Sequence, residues 1–212
     1  MSEGRHSMSE DQPDVANLVI LISGFGSNLQ AILDACMRGE VPARVAAVIS
    51  NKTDAYGLER ARRVNVPAIA HPKPLEQERR LYDAELARLV ASYRPDWVVL
   101  AGWMRILSNS FLECFPNRVI NLHPALPGTF PGTDAIHRAF EAFQRGEVTH
   151  TGVMVHLVPD EGVDTGPVLA QEVVAIYPQD SLEMLETRIH SVEHRLLVDT
   201  LRSLCSSNHL TV

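Results

Sequence analysis

The chain has 212 residues, enough for one well-buried domain and few for two. It is 45% hydrophobic, and its 26 acidic side chains against 19 Lys and Arg give a formal net charge of −7. This acidic balance argues against a nucleic-acid partner, because nucleic-acid binders usually carry a basic excess or stripe. We expect no membrane partner either, because no apolar run approaches the roughly 20 residues of a membrane helix.

The cysteines Cys36, Cys114 and Cys205 are far apart and odd in number, a pattern that favours neither a metal site nor a disulfide framework. They predict a cytoplasmic protein without a metal. Residues 1–16 are polar and lack the apolar core of a signal peptide. We therefore expect a single domain at residues 17–205, with a flexible N-terminal tail at 1–16 and a C-terminal tail at 206–212.

Apolar strands and amphipathic helices alternate from residue 17 to residue 122. Strands are expected at 17–22, 45–49, 67–70, 97–101 and 119–122. Helices are expected at 29–37, 56–64 and 75–93, with a short one around Phe111. This alternation predicts a parallel sheet covered by helices on both faces.

The pattern changes after residue 123. A loop at 124–132 contains three prolines and two glycines, and a helix around 136–143 follows it. Strands are then expected at 151–158 and 168–176. The gap of about nine residues between them is too short for a parallel crossover, so they should pair antiparallel.

The last helix is expected to begin near residue 180. Asp180 and Glu183 have the spacing of a capping box. Apolar residues then recur at alternating steps of three and four, at Leu182, Leu185, Ile189, Val192 and Leu196. Together the elements predict an α/β, Rossmann-like fold: a mostly parallel sheet with helices on both faces and an antiparallel C-terminal hairpin.

A glycine-rich turn, Gly24-Phe-Gly-Ser-Asn28, separates the first strand from the first helix. Backbone N–H groups at a helix start favour an anion, and glycine allows its close approach. The dinucleotide fingerprint is absent, because Leu29 stands where G-x-G-x-x-G requires glycine. The segment is therefore either a phosphate-binding loop or a tight turn with Ser27 or Asn28 as the helix cap.

A second polar pair, Asn121 and His123, ends the strand at 119–122. Ligands of open α/β sheets bind beyond the carboxyl ends of strands, and alternation places both side chains on one side. An amide that stabilises an oxyanion beside an imidazole that moves protons suits acyl transfer. A strand-end histidine bonded to backbone carbonyls is the alternative that the residues leave open.

The hairpin loop contains Asp160-Glu-Gly-Val-Asp164-Thr-Gly-Pro167. It lacks the alternating ligands of an EF-hand calcium loop. Acidic residues with glycines commonly form a solvated turn, and the local pattern indicates nothing more.

Five segments, taken together, closely resemble the phosphoribosylglycinamide formyltransferases, a branch of the formyltetrahydrofolate-dependent enzymes. They are residues 24–28, 50–58, 101–107, 121–124 and 160–167. Asn…His…Asp is shared by the wider family, and the glycine-serine-asparagine loop is typical of this branch. The resemblance runs in order through most of the chain.

The resemblance implies catalytic roles for three residues. Asn121 would bind the formyl oxygen, and His123 would be the proton donor. Asp164 would hold His123 and raise its pKa, because an opposite charge favours the protonated imidazole.

The resemblance also implies binding roles. Gly26, Ser27 and Asn28 would bind the substrate 5′-phosphate, and Glu193 would contact the glycinamide part. The folate would contact a larger set of residues. Its pterin would lie against the backbone of residues 104–107, and its glutamate tail would contact Arg79. That set is Arg79, Met104, Arg105, Ile106, Leu107, Asn121, Asp160, Glu161, Gly162, Val163 and Asp164.

Two segments depart from the family pattern. In the loop after His123, Ala125 replaces a serine and the proline is shifted to Pro127, so the loop is expected to take a different path. Trp103 stands where phenylalanine is common, which makes a bulkier wall near the pterin. Neither departure removes a chemical group from the implied mechanism.

The implied reaction is transfer of a formyl group from 10-formyltetrahydrofolate, a cosubstrate, to 5-phosphoribosylglycinamide in purine biosynthesis. The implied partners are these small molecules, without a metal, and the chain is a monomer or a homodimer. The nearest alternative is another formyltetrahydrofolate-dependent enzyme, such as a deformylase or a tRNA formyltransferase, but both lack the phosphate-binding loop. A non-catalytic nucleotide- or folate-binding module would not need Asn121, His123 and Asp164 together.

Overall fold

The computed structural model describes residues 15–207. The predicted tails lie outside the described residues, except that Ala16 already belongs to the first strand and the last helix continues to Ser207. Within this part of the chain the strands are β1 Ala16–Ile22, β2 Ala43–Ser50, β3 Ala68–Ala70, β4 Trp97–Leu100, β5 Val119–His123, β6 His150–Leu157 and β7 Val168–Ala175. The helices are α1 Ser27–Met37, α2 Tyr56–Arg63, α3 Arg79–Ala91, α4 Asn109–Leu112, α5 Ala135–Gln144 and α6 Leu182–Ser207.

The strands form one sheet in the order β3-β2-β1-β4-β5-β6-β7. Strands β1 to β5 are parallel, whereas β6 pairs antiparallel with β5 and β7 pairs antiparallel with β6. The predicted mostly parallel sheet with an antiparallel C-terminal hairpin is confirmed. The strand order reverses between β1 and β4, and this switch point opens a crevice at the carboxyl ends of the strands.

Strand β1 is apolar throughout because both faces of the sheet are covered. Leu18 and Ile20 face a core formed with α1, α2 and α6, whereas Val19 and Leu21 face a second core formed with α3 and α4. All four side chains are fully buried. The two layers of helices hold the carboxyl ends of the strands in fixed positions.

The start of α3 is later than the periodicity predicts. The apolar pattern extends from residue 75, but the helix begins at Arg79 because the Glu78 side chain accepts a hydrogen bond from the Leu81 N–H at 3.2 Å. Residues 74–77 form a separate turn, in which Gln77 N–H donates to the Pro74 carbonyl at 3.2 Å. Arg79 is therefore the first residue of the helix.

The predicted capping box at the start of α6 was wrong. Ser181 caps the helix, because its Oγ accepts from the Met184 N–H at 3.2 Å. Asp180 binds Arg188 through both carboxylate oxygens, at 2.7 and 2.8 Å. The hydrogen-bonded Arg188 guanidinium lowers the pKa of Asp180 to about 2. The Asp180 carboxylate, which was expected to cap the helix, thus pairs with Arg188 two turns along the helix instead.

Two glycines let the turn after β1 pack closely on α2. Gly26 precedes α1 with φ of 76°, and a Cβ there would lie 2.8 Å from the Gly57 Cα. A Cβ on Gly57 would overlap Cδ1 of Ile22. The Gly57 N–H donates to the Gly24 carbonyl at 3.1 Å, so the two backbones are joined where they meet.

Replacing Gly57 with alanine should lower the free energy of unfolding. Overpacking costs about 1–3 kcal/mol, more than the helix-propensity gain of up to about 1 kcal/mol. Gly24→Ala is the matched control, because a Cβ there meets no atom within 4 Å. Urea unfolding followed by circular dichroism measures both variants, and equal midpoints for the two would contradict this packing.

Candidate active site

The carboxyl ends of β1, β4 and β5 bring three of the predicted segments to one edge of the sheet. Gly26 follows β1, Met104 follows β4 and His123 ends β5. The first two loops are bonded directly: the Met104 N–H donates to Ser23 Oγ at 2.8 Å, and the Ser23 N–H donates to the Gly102 carbonyl at 3.0 Å. The predicted phosphate loop and pterin segment are therefore neighbours at the switch point.

The Asp164 carboxylate contacts the other two side chains predicted to be catalytic, Asn121 and His123. Asn121 Nδ2 donates to its Oδ1 at 3.0 Å, and His123 Nδ1 lies 3.3 Å from its Oδ2. The Gly132 N–H also donates to Oδ2, at 2.8 Å. The side chains of His123 and Asp164 are 5% and 9% exposed. These groups form one set of contacting polar groups around the Asp164 carboxylate, called here the polar cluster.

His156 belongs to the polar cluster and was not singled out from the sequence. It is the cross-strand partner of Asn121, with Nε2 3.2 Å from Asn121 Nδ2 and 3.4 Å from Asp164 Oδ1. Its Nδ1 lies 2.8 Å from the Leu157 carbonyl. Neutral His156 accepts from the Asn121 amide, and protonated His156 donates to Asp164. The sequence does show a histidine inside an apolar strand, which could have indicated a functional residue. That His156 lies opposite Asn121 follows only from the pairing register of β5 and β6.

Burial and charge act in opposite directions on the two central groups. Burial lowers the pKa of His123 below its ordinary value, although Asp164 and the Phe130 carbonyl raise it. Asp164 thus raises the His123 pKa as expected, but burial has the larger effect, so the net pKa is lowered. Burial raises the pKa of Asp164, but His156, the Gly132 N–H and His123 lower it, with a net decrease.

The loop at 124–132 closes over His123. The His123 Nε2 lies 3.1 Å from the Phe130 carbonyl, which also accepts from Arg138 Nη2 at 2.9 Å. Phe130 has φ of 45°, a left-handed conformation that is uncommon for a bulky residue. Ala125, which replaces the usual serine of the family, is completely buried. Both ring nitrogens of His123 therefore face acceptors in this structure.

The predicted phosphate and glycinamide residues adjoin each other. No side chain of the described residues caps the N-terminus of α1 at Gly26. Asn28 Nδ2 lies 3.5 Å from Glu193 Oε2, and Asn28 Oδ1 is buried without a hydrogen-bond partner among residues 15–207. Glu193 is 5% exposed and pairs with His190 Nδ1 at 2.7 Å. This hydrogen bond to Glu193 raises the pKa of His190.

The segment predicted to hold the pterin alternates between exposed and covered side chains. Met104 and Ile106 are exposed, whereas Leu107 is buried in the core between the sheet and α3. The Arg105 guanidinium carbon lies 5.4 Å from the centre of the Tyr82 ring. The side chains of Met104 and Ile106 are thus accessible to a ligand.

The β6–β7 loop meets the predicted site for the glutamate tail. Arg79 forms an ion pair with Glu161, whose Oε1 also accepts from the Asn109 N–H at 3.1 Å. Asp160 Oδ1 accepts from the Gly162 N–H at 2.8 Å within the loop, and Val163 is exposed. Two residues expected to contact folate, Arg79 and Glu161, therefore contact each other.

Metal ligands and membrane helices were both expected to be absent. Among residues 15–207, no three His, Cys, Asp or Glu side chains are grouped so that they could hold a metal ion. In the same range, no helix combines the length and apolar character needed to cross a membrane. The cysteines of the described range are free, and burial raises the pKa of Cys205 to about 12.

The fold and the polar cluster define an α/β protein with titratable groups at the carboxyl end of β5, one strand from the switch point of its sheet. The chain belongs to the formyl transferase family, whose model matches residues 16–201. It is 49% identical over 207 residues to the phosphoribosylglycinamide formyltransferase of Schizosaccharomyces pombe, an alignment covering 92% of this chain and 99% of the relative. The Escherichia coli phosphoribosylglycinamide formyltransferase is 43% identical over 180 residues, covering 85% and 82%. Glycinamide ribonucleotide transformylase 1 from Symbiobacterium toebii matches in structure, with a TM-score of 0.85, 42% identity and coverage of 92% and 90%.

Replacing Asp164 with asparagine should lower the pKa of His123 further. The substitution removes the negative charge that favours the imidazolium, whereas burial persists. Asparagine tolerates the left-handed backbone at this position, where φ is 54°. NMR titration of the ring nitrogens measures the change, with Asp160→Asn as the control because Asp160 contacts Gly162 instead. An unchanged or higher His123 pKa in Asp164→Asn would contradict the pairing.

Proposed function

We propose that this chain transfers the formyl group of 10-formyltetrahydrofolate to the amine of 5-phosphoribosylglycinamide. The products are formylglycinamide ribonucleotide and tetrahydrofolate, in the de novo pathway to the purine nucleotide IMP. The contact of Asn121 and His123 with Asp164, in a chain of the formyl transferase family, is the observation that carries this proposal. Relatives matched over most of their length bear the name of this activity.

The 5′-phosphate binds at Gly26, Ser27 and Asn28. The N–H groups at the start of α1 have no side-chain cap among the described residues and carry the positive end of the helix dipole. Glu193 contacts the glycinamide part, which its position beside Asn28 supports. Strands β1 and β5 are two strand spacings apart, about 10 Å, a distance that a ribose phosphate with a glycinamide arm can span.

The formyl folate lies between the β6–β7 loop and the segment after β4. The pterin is held by backbone groups of residues 104–107, with Met104 and Ile106 as apolar contacts. Asp160, Glu161, Gly162 and Val163 contribute from the other side, and Arg79 attracts the glutamate tail. Both reactants are small molecules, the mechanism uses no metal, and the enzyme acts in the cytoplasm.

The chemical step forms one C–N bond and breaks another. The amine of the glycinamide attacks the formyl carbon, and the electron pair of the carbonyl moves onto oxygen to form a tetrahedral oxyanion. When the carbonyl reforms, the bond to the folate nitrogen breaks. The amine loses one proton and the folate nitrogen gains one, so the proton count of the reaction balances.

The polar cluster stabilises that oxyanion and moves the proton. Asn121 donates a hydrogen bond to the oxygen through the N–H that faces His156 Nε2 in the free chain, while its other N–H stays on Asp164. A donor held in place in this way stabilises the developing charge. His123 has a lowered pKa in the free chain. Negative charge that develops on the oxyanion raises the pKa of His123, which favours the protonated imidazole as the transition state forms. Asp164 holds His123 and stabilises the charged ring.

The Nε2 atom of His123 reaches the reactants only after it exchanges its partner. In the free chain this atom faces the Phe130 carbonyl at 3.1 Å. The formyl oxygen or the folate nitrogen takes the place of that carbonyl when the loop at 124–132 shifts. The strained backbone of Phe130 lowers the cost of this exchange.

The direct test is an assay with purified protein, 10-formyltetrahydrofolate and phosphoribosylglycinamide, following tetrahydrofolate release and the formylated product. We expect tetrahydrofolate to form only when the amine acceptor is present. Equal release of tetrahydrofolate and formate without the acceptor would instead identify a deformylase. No turnover under either condition would contradict formyl transfer.

Replacing Asn121 with alanine should lower kcat by two to three orders of magnitude. Losing one oxyanion donor typically costs about 3–4 kcal/mol of barrier. Asn17→Ala is the matched control, because Asn17 is a strand asparagine at the amino end of β1, away from the carboxyl ends that form the site, and it contacts Arg44 and Arg94 there. An Asn121→Ala enzyme with the turnover of the Asn17→Ala enzyme would exclude Asn121 from the reaction.

A further inference from the structure

The β6–β7 loop holds Asp164 in an unusual backbone conformation. Asp164 has φ of 54°, in the left-handed region, so the loop must be fixed by contacts outside itself. Its base is closed by the Leu157 N–H, which donates to the Pro167 carbonyl at 2.9 Å. Gly132 reaches the Asp164 carboxylate from one side. On the side of α3 and α4, the contact that fixes the loop is Glu161.

The Glu161 carboxylate bridges the first residues of two helices. One oxygen accepts from the backbone N–H of Asn109 at the start of α4, at 3.1 Å. The other oxygen pairs with the guanidinium of Arg79 at the start of α3. The Asn109 N–H and Arg79 both lower the pKa of Glu161, so the carboxylate is ionised at neutral pH. A negative charge at helix N-termini is favourable in itself.

The anchor to which Glu161 binds is rigid. Asp83 of α3 is buried, and its Oδ2 accepts from the Ser108 N–H at 2.8 Å, directly before Asn109. Ser108 also directly follows the segment at 104–107 that we assign to the pterin. Glu161 therefore ties the loop that carries Asp164 to the end of that segment and keeps the two walls of the folate site at a fixed separation.

We infer that Glu161 is a positioning residue that holds the β6–β7 loop against α3 and α4, so that Asp164 stays in contact with Asn121 and His123. This inference rests on the proposed formyl transfer for its kinetic consequence, but its structural consequence can be measured without turnover. Arg79 then has a second task beyond attracting the glutamate tail of folate. It is the charged partner that keeps Glu161 in place.

The key variant is Glu161→Ala. Release of the loop should lower kcat by about tenfold to a hundredfold, the usual effect of misplacing reacting groups by about 1 Å. It should also lower the His123 pKa measured by NMR, because Asp164 no longer lies beside the ring. Amide hydrogen exchange at residues 160–166 should become faster. Glu161→Gln keeps an oxygen for the Asn109 N–H but loses the ion pair with Arg79, so its kcat and His123 titration should lie between those of the wild type and of Glu161→Ala.

Two further variants separate positioning from ligand binding and from general destabilisation. Arg79→Ala should lower kcat even with a formyl folate analogue that lacks the glutamate tail, and combining it with Glu161→Ala should add little further loss. Glu172→Ala is the matched control, because Glu172 lies on β7 of the same hairpin and its exposed ion pair is with Arg195 of α6. It should leave kcat and the His123 titration unchanged.

The outcomes distinguish this inference from the proposed function. If the wild-type chain shows no formyl transfer, the proposed function fails, and the NMR and exchange measurements still test the role of Glu161. If Glu161→Ala keeps the wild-type His123 titration and loop exchange, the inference is overturned whatever the activity. If Glu161→Ala does not fold, Arg79→Ala gives the same readouts, and an unchanged His123 pKa in that variant overturns the inference.

Discussion

Burying a carboxylate away from water is costly unless it is paired, and both oxygens of Asp164 have partners in the polar cluster. Asn121 and Gly132 donate hydrogen bonds to it, and the rings of His123 and His156 lie within ion-pair distance. The same contacts that make its burial tolerable also hold the amide of Asn121 and the imidazole of His123, the groups that we propose act in the reaction. The contacts that stabilise the buried carboxylate are therefore the same contacts that orient the amide and the imidazole. A substitution of any residue that contacts Asp164 changes the environment of the other residues of the polar cluster.

The topology of the sheet makes this arrangement possible. Parallel strands deliver the glycine turn, the segment at 104–107 and His123 to one edge, and the reversal of strand order between β1 and β4 leaves space there. The antiparallel hairpin then returns Asp164 to the same edge from the far end of the chain. The glycine turn and the polar cluster lie at the same ends of the strands because adjacent parallel strands end side by side, and this is the basis for proposing a phosphate site beside acid–base groups.

The alternation of elements and the positions of Asn121 and His123 could be predicted, because apolar runs and strand ends are local patterns. His156 could not, since its partner across the sheet depends on a register that the sequence does not reveal. The Asp164 loop has the composition of an ordinary turn, so only the family resemblance indicated it. The net pKa of His123 depends on burial, which outweighs the charge of its neighbour. The prediction that Asp180 caps α6 was wrong because Arg188, two turns along the helix, pairs with its carboxylate.

The central claim is that one carboxylate organises the reacting groups beside a site that binds a sugar phosphate. Its most direct test is a crystal structure with phosphoribosylglycinamide and a folate analogue that cannot transfer a formyl group. We expect the phosphate at the start of α1, the amine within reach of His123, and the Asp164 carboxylate still in contact with Asn121 and His123. A phosphate bound elsewhere, or an Asp164 carboxylate turned away from both side chains in the complex, would contradict the claim.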